Sequence, residues 1–136
     1  MPDALRRGAV VLRGRRYGVV WAVDAAGAQL ELLPILRPHR PWAHDVALDL
    51  SDLVACVGPE GPPEGVRLVG AVIRPAVRTL VPTAGQIPVG EVPGRAMCQV
   101  AIGVARTFAE AQTRERWTAN RRHRDHARGP GVRLVG

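Results

Sequence analysis

Lysine is missing from this chain of 136 residues, so all nineteen of its basic side chains are arginine. An all-arginine set reflects a GC-rich gene as readily as a function, and it carries no weight. Aromatics are sparse, at three Trp, one Tyr and one Phe, so most apolar burial has to come from Val, Leu, Ala and Ile. The only cysteines, Cys56 and Cys98, lie far apart with no CxxC spacing. Both read as small buried hydrophobes of a reduced protein, although spacing alone leaves a bond between them open. No apolar run approaches the roughly eighteen residues of a membrane span, and no apolar leader core follows Met1. A cytoplasmic protein with no membrane partner is expected.

The length suits one domain with a modest core. The net charge of +7 is unevenly placed. From Arg114 onward seven Arg stand against Glu115 and Asp125, whereas the first 113 residues hold twelve Arg against ten acids. The excess therefore belongs mainly to the tail. A folded unit over residues 1–113 and a basic, disordered tail over 114–136 are expected.

The chain is organised around residues 8–35. Two apolar runs, Ala9-Val10-Val11-Leu12 and Tyr17-Gly18-Val19-Val20-Trp21-Ala22-Val23, flank Arg13-Gly14-Arg15-Arg16. A third, Gln29 to Ile35, follows the turn-forming Asp24 to Ala28. β-Branched and aromatic residues between glycine-bearing turns predict a three-strand antiparallel meander. The corner places Arg13, Arg15 and Arg16 on one turn, where planar guanidinium forks suit phosphate oxygens. Charged turns are common in any fold, so a plain solvated hairpin tip stays open.

Pro34 to Trp42 is a proline-punctuated loop and no central strand. It carries Arg37, His39, Arg40 and Trp42, a mix that holds a backbone phosphate and stacks a base. The alternative is that Trp42 caps the core edge while the arginines meet solvent. Asp45 to Leu50 alternates with period two, as a half-buried strand does. Ser51 to Val57 reads as an apolar turn or one helical turn. The Gly/Pro-rich stretch 58–65 is a loop, residues 66–80 return to strand character with a bend at Arg74-Pro75, and Ile87 to Val92 is a final strand.

From Gly94 the period changes. Met97, Val100, Ala101, Val104, Phe108 and Ala111 fall on one helical stripe, which predicts a core-packing helix over about 95–117 with Gly103 as a weak point. His123 and His126 have no second ligand pair nearby, so no metal is expected. The hexapeptide Gly65-Val66-Arg67-Leu68-Val69-Gly70 recurs as residues 131–136. One extra copy is no solenoid signature, though it offers a segment that can pair with an open sheet edge. Five to seven short strands followed by a C-terminal helix describe a mainly β, SH3-like small barrel.

Several segments, in order, resemble the MazF/PemK toxin family. Arg7-Gly8-Ala9-Val10-Val11 resembles its first strand, Arg15-Arg16-Tyr17-Gly18-Val19-Val20 its second, and Leu33-Pro34-Ile35 its third. Gly70 to Arg74 with Val77-Arg78-Thr79-Leu80, then Ile87 to Val92 before a helix, resemble later segments. The resemblance covers about residues 7–112. It implies a dimeric SH3-like barrel that binds and cleaves single-stranded RNA without metal or cofactor and is neutralised by an antitoxin peptide lying in the RNA groove. Arg16 matches the family arginine that stabilises the phosphate. Leu36 stands where the family carries a hydroxyl, and the first hairpin loop is shorter than usual.

Three functions follow as expectations. The first is a toxin-like endoribonuclease with Arg16 as the catalytic cation, RNA contacts from Arg13, Arg15, Arg37, His39, Arg40 and Trp42, and His39 or His44 as a titrating group. The second is an inactive nucleic-acid-binding barrel using the same surface, and the third a structural or partner-binding barrel.

Overall fold

The computed structural model describes residues 5–133, with side chains to residue 124. The expected meander is present as β1 (Ala9–Arg13), β2 (Arg16–Val23) and β3 (Gln29–Leu36), all antiparallel. Then come β4 (Val46–Ala47), α1 (Leu50–Val57), β5 (Val72–Ile73), β6 (Thr79–Pro82), β7 (Pro88–Glu91) and α2 (Gly94–Arg133). The strand order is β4-β5-β3-β2-β1-β7, with β6 on the far half of β3. Seven antiparallel strands thus form a sheet that the described hydrogen bonds do not close, followed by the C-terminal helix.

Each face of the central strands buries its own apolar set. Val10, Tyr17, Val19, Leu33 and Ile35 point to the main core, where α1 adds Leu53 and Cys56 and α2 adds Ala96, Val100 and Val104. Ala9, Val11, Val20, Leu30, Leu32 and Val81 fill the opposite face. With both faces covered, β2 and β3 read as near-continuous hydrophobic runs rather than as an alternation.

Several expectations change. The segment 45–50 supplies only a two-residue strand, because Asp49 ends it by capping α1. The Asp49 side chain accepts from the Asp52 amide at 2.8 Å, while the Asp52 carboxylate accepts from the Asp49 amide at 3.1 Å. This reciprocal capping box starts a helix where an ambiguous turn was expected. Residues 66–70 form no strand: Gly65 and Gly70 adopt φ of 82° and 86°, and the Ala71 amide turns back to the Leu68 carbonyl. Cys98 is exposed, while Cys56 is buried, and both are free thiols.

The C-terminal helix also differs. Ala101 and Phe108 face solvent, so the buried stripe is Ala96, Val100 and Val104. Gly103 is no weak point. A Cβ there would lie 2.8 Å from Pro75 Cγ, so glycine lets the helix lie directly on the β5–β6 connection. The backbone does not change state after residue 113, since α2 continues to Arg133 with every described side chain from Gln112 to Arg124 exposed. The pairing expected of the C-terminal GVRLVG lies outside the described residues, as do the side chain of His126 and the state of residues 134–136.

Candidate nucleic-acid interface

The first hairpin fixes the central part of the interface. Arg13 and Arg16 are direct cross-strand partners, joined by the two-residue loop Gly14-Arg15. Gly14 has φ of 65° and is the first central residue, the Gly-first arrangement of a tight hairpin turn that matches strand twist. The short loop therefore brings two guanidiniums to the same sheet end. No ion pair or side-chain hydrogen bond among the described residues engages either one. Arg15, by contrast, donates from Nη2 to the Glu64 carbonyl at 2.8 Å and ties the hairpin to the 58–65 loop.

Arg13 and Arg16 border an open groove of about 350 Å³. Gly18, Leu32, Leu33, Pro34, Leu36, Val77 and Thr79 line the rest of it. At Gly18 an added Cβ would crowd Leu32, with its Cδ1 at 3.2 Å. Tyr17 also contributes to the wall, but its side chain belongs to the main core. Its hydroxyl is buried without a partner, and burial pushes the phenol above its ordinary value. Thr79 brings a side-chain hydroxyl to the groove, whereas Leu36 brings none.

The remaining expected residues divide. Arg37 directly follows Leu36 but lines a different depression, beside α1. His39 and Arg40 are exposed on the loop beyond β3. Trp42 is half exposed, and the Arg74 guanidinium lies 3.8 Å from its ring centroid. One face of the indole is therefore occupied, and the other is open. Arg74 is itself buried. It donates from Nε to Asp45 Oδ1 at 3.0 Å and from Nη2 to Asp45 Oδ2 at 2.8 Å, and Nη2 also reaches the Arg40 carbonyl at 3.4 Å. His44 sits at φ of 69° with Nε2 2.7 Å from Glu110 Oε1 on α2. Neither His39 nor His44 lines the groove.

Sequence reading missed Arg74, Asp45 and Thr79. Arg74-Pro75 looked like an edge bend, and no local pattern shows that a carboxylate twenty-nine positions earlier meets that arginine. Thr79 stood in a segment already noted for its resemblance, yet only the register Leu32↔Thr79 brings it to the groove. On a separate surface, Arg95 bonds to Asp49 at 2.7 Å and Asp52 at 3.2 Å. The Asp52 backbone N–H is the main cause that lowers the Asp49 pKa. Among the described residues, no three His, Cys, Asp or Glu side chains gather closely enough to hold a metal ion, and no helix is long and apolar enough to cross a membrane.

The seven-stranded antiparallel sheet followed by a C-terminal helix is a MazF-like fold. MazE–MazF from Deinococcus radiodurans is similar, with a TM-score of 0.55 and 14% identity, covering 78% of this chain and 97% of that chain. An endoribonuclease from a mycobacterial species has a TM-score of 0.55 and 15% identity, covering 78% and 93%. Mycobacterium tuberculosis toxin MazF-mt6 has a TM-score of 0.52 and 15% identity, covering 76% and 97%. No protein-family model and no curated protein sequence matches the chain.

Proposed function

We propose that this chain is a toxin-like endoribonuclease of a toxin–antitoxin pair that cleaves single-stranded RNA in the cytoplasm without metal. The observation that carries the reading is the cross-strand pair Arg13 and Arg16, without ion-pair partners among the described residues, beside an open groove on a MazF-like fold. A phosphodiester laid along the groove meets two cations. In a transfer reaction, charge accumulates on the non-bridging oxygens as phosphorus becomes pentavalent, and a fixed guanidinium stabilises that change. Arg16 holds this role, with Arg13 placing the neighbouring phosphate. Arg37, His39 and Arg40 extend the contact, and the outward face of Trp42 stacks a base. Arg15 adds charge to the corner while its fork holds the Glu64 carbonyl. A homodimer restrained by an antitoxin completes the reading, consistent with two neighbours that are MazE–MazF complexes.

A second reading, an RNA-binding barrel without catalysis, is favoured by Leu36. The groove carries no imidazole or carboxylate, and the position that holds a hydroxyl in the resembled family is aliphatic. One experiment separates the two. Labelled single-stranded RNA is incubated for long periods with the protein and a chelator, with binding measured alongside. Slow cleavage supports the nuclease, and binding without cleavage supports the second reading. The absence of both overturns both.

A further inference from the structure

We infer that the part of α2 beyond Glu115 is an arm that binds double-stranded DNA through its phosphates, by lying in the major groove. Residues 116–124 carry Arg116, Arg121, Arg122 and Arg124 and no acidic residue. All four side chains are exposed, and no ion pair among the described residues engages any of them. The backbone stays helical to Arg133, so the arm is about 26 Å long at ~1.5 Å per residue.

The placement of the arginines selects the occupant. At about 100° per residue they fall on every side of the helix, with no gap between neighbours wider than about 120°. A flat surface meets one side of a helix, whereas a groove between two rows of phosphates meets several. The major groove of B-form DNA is about 12 Å wide and admits a helix of ~10–12 Å diameter. Continuous basic helices lie in that groove in several DNA-binding motifs. The A-form RNA major groove is deep and narrow, which shuts the same helix out. A single strand is held on successive stacking aromatics, and Trp117 stands alone with Arg121 4.6 Å from its ring centroid. A bilayer surface needs an apolar face, but Trp117 and Ala119 are the only apolar residues between 116 and 124. A second copy of the arm carries the same charge and is repelled. Phosphate contacts carry no sequence information, so this binding is independent of base sequence. The inference stands apart from the RNA reading, whose groove is built on the sheet.

The test is fluorescence anisotropy of a short labelled DNA duplex with the full chain over a salt series, repeated with an unrelated sequence. Both duplexes are expected to bind equally. The triple variant Arg121→Gln, Arg122→Gln and Arg124→Gln should lose about tenfold or more at low salt. Its salt slope should fall by about 2.7, at ~0.9 per phosphate contact. The matching lysine triple keeps the charges and should stay within about threefold of wild type. Arg67→Gln, at an exposed loop position off the helix, should change neither quantity. Circular dichroism checks that helix content is kept, and Arg121→Gln alone replaces a triple variant that loses it, with a slope change of about 0.9. The inference is overturned by no binding to duplex DNA, by a preference of about tenfold or more for one sequence, by an unchanged slope in the glutamine variant, or by a lysine triple as weak as the glutamine one. It is equally overturned if duplex RNA, a single strand or vesicles of anionic phosphatidylserine bind the arm as tightly as duplex DNA does. RNA cleavage is not read in this experiment, so its failure and that of the nuclease proposal remain distinct.

Discussion

Arg74 lies 3.8 Å from the centroid of the Trp42 ring, and the same guanidinium is gripped at two points by Asp45. The pair is nearly dry, with side-chain exposures of 9% for Arg74 and 3% for Asp45. The proline-rich loop after β3 is thus anchored from within, and the Trp42 amide donates to the same carboxylate at 2.8 Å. Removing one partner of such a pair strands a buried charge, at a cost of about 3–5 kcal/mol. Asp45→Ala is expected to lose about that much in denaturant unfolding. Trp42→Ala should lose about 1 kcal/mol, the scale of a partly exposed cation–π contact. Equal, small losses would show that the loop is not anchored by Asp45.

Asp49 gives a pH dependence. Its folded pKa is lowered chiefly by the Asp52 backbone N–H, then by Ser51, with Arg95 adding attraction. A lowered folded value means stability that is fully present above the ordinary carboxylate range and lost as pH falls through the folded value. Asp49→Ala should therefore melt below wild type near neutral pH, with the gap closing in acid. Asp49→Asn keeps an acceptor for the cap and should fall between the two. A gap that does not narrow with acid would remove the carboxylate from the account.

The two thiols should react very differently. Burial pushes the Cys56 pKa up to about 12, with the nearby Asp52 charge adding to it, while Cys98 is exposed on α2. A thiolate-selective reagent is expected to label one thiol quickly in the native protein and the second only on unfolding. A raised folded value also means that the Cys56 contribution to stability is whole below the unfolded pKa and fades as pH rises through the folded one. Rapid labelling of both thiols would show that α1 opens readily.

The extension of α2 sets a boundary that can be tested. Its packing on the rest of the fold runs through Arg95, Ala96, Met97, Val100, Gly103 and Val104, followed by the Glu110–His44 pair. Beyond Ala111 the described side chains only meet one another or solvent, as where Arg121 lies 4.6 Å from the Trp117 centroid. Truncation after Arg116 should leave the melting midpoint within a few degrees of the full chain. A large drop would place residues 117–136 in the folded unit.

The three-strand meander was legible because Val, Leu and Ile runs between glycine turns leave little choice of local structure. The hairpin corner was legible for the same reason, but the sequence put Arg13, Arg15 and Arg16 on one turn, and only the strand register pairs Arg13 with Arg16. What escaped depends on distant partners. Val66 to Val69 has strand propensity but lacks a strand to pair with, so its flanking glycines turn it into the wall of a groove. Phe108 fits the helical stripe, yet it stays more than half exposed. Arg37 and Trp42 share the loop after β3, and the Arg74 guanidinium that covers one face of Trp42 comes from thirty-two positions further on, a contact that no local pattern shows.

Arg16 decides between enzyme and binder. In a nuclease it faces charge that grows only in the transition state, so Arg16→Ala should lower the cleavage rate by about two to three powers of ten. Ground-state RNA affinity should fall far less, by one phosphate contact, with the salt slope reduced by about 0.7 for a single strand. Arg114→Ala is the matched control, because that arginine is exposed on α2 away from the groove and should leave the rate near wild type. In a pure binder, Arg16→Ala changes affinity and salt slope alone, and neither protein cuts. Leu36→Thr adds a hydroxyl to the groove beside Arg16 and should raise a slow wild-type rate. If Arg16→Ala alters neither affinity nor rate while the wild-type chain cuts RNA, the catalytic cation lies elsewhere, and Arg13 is the next to replace.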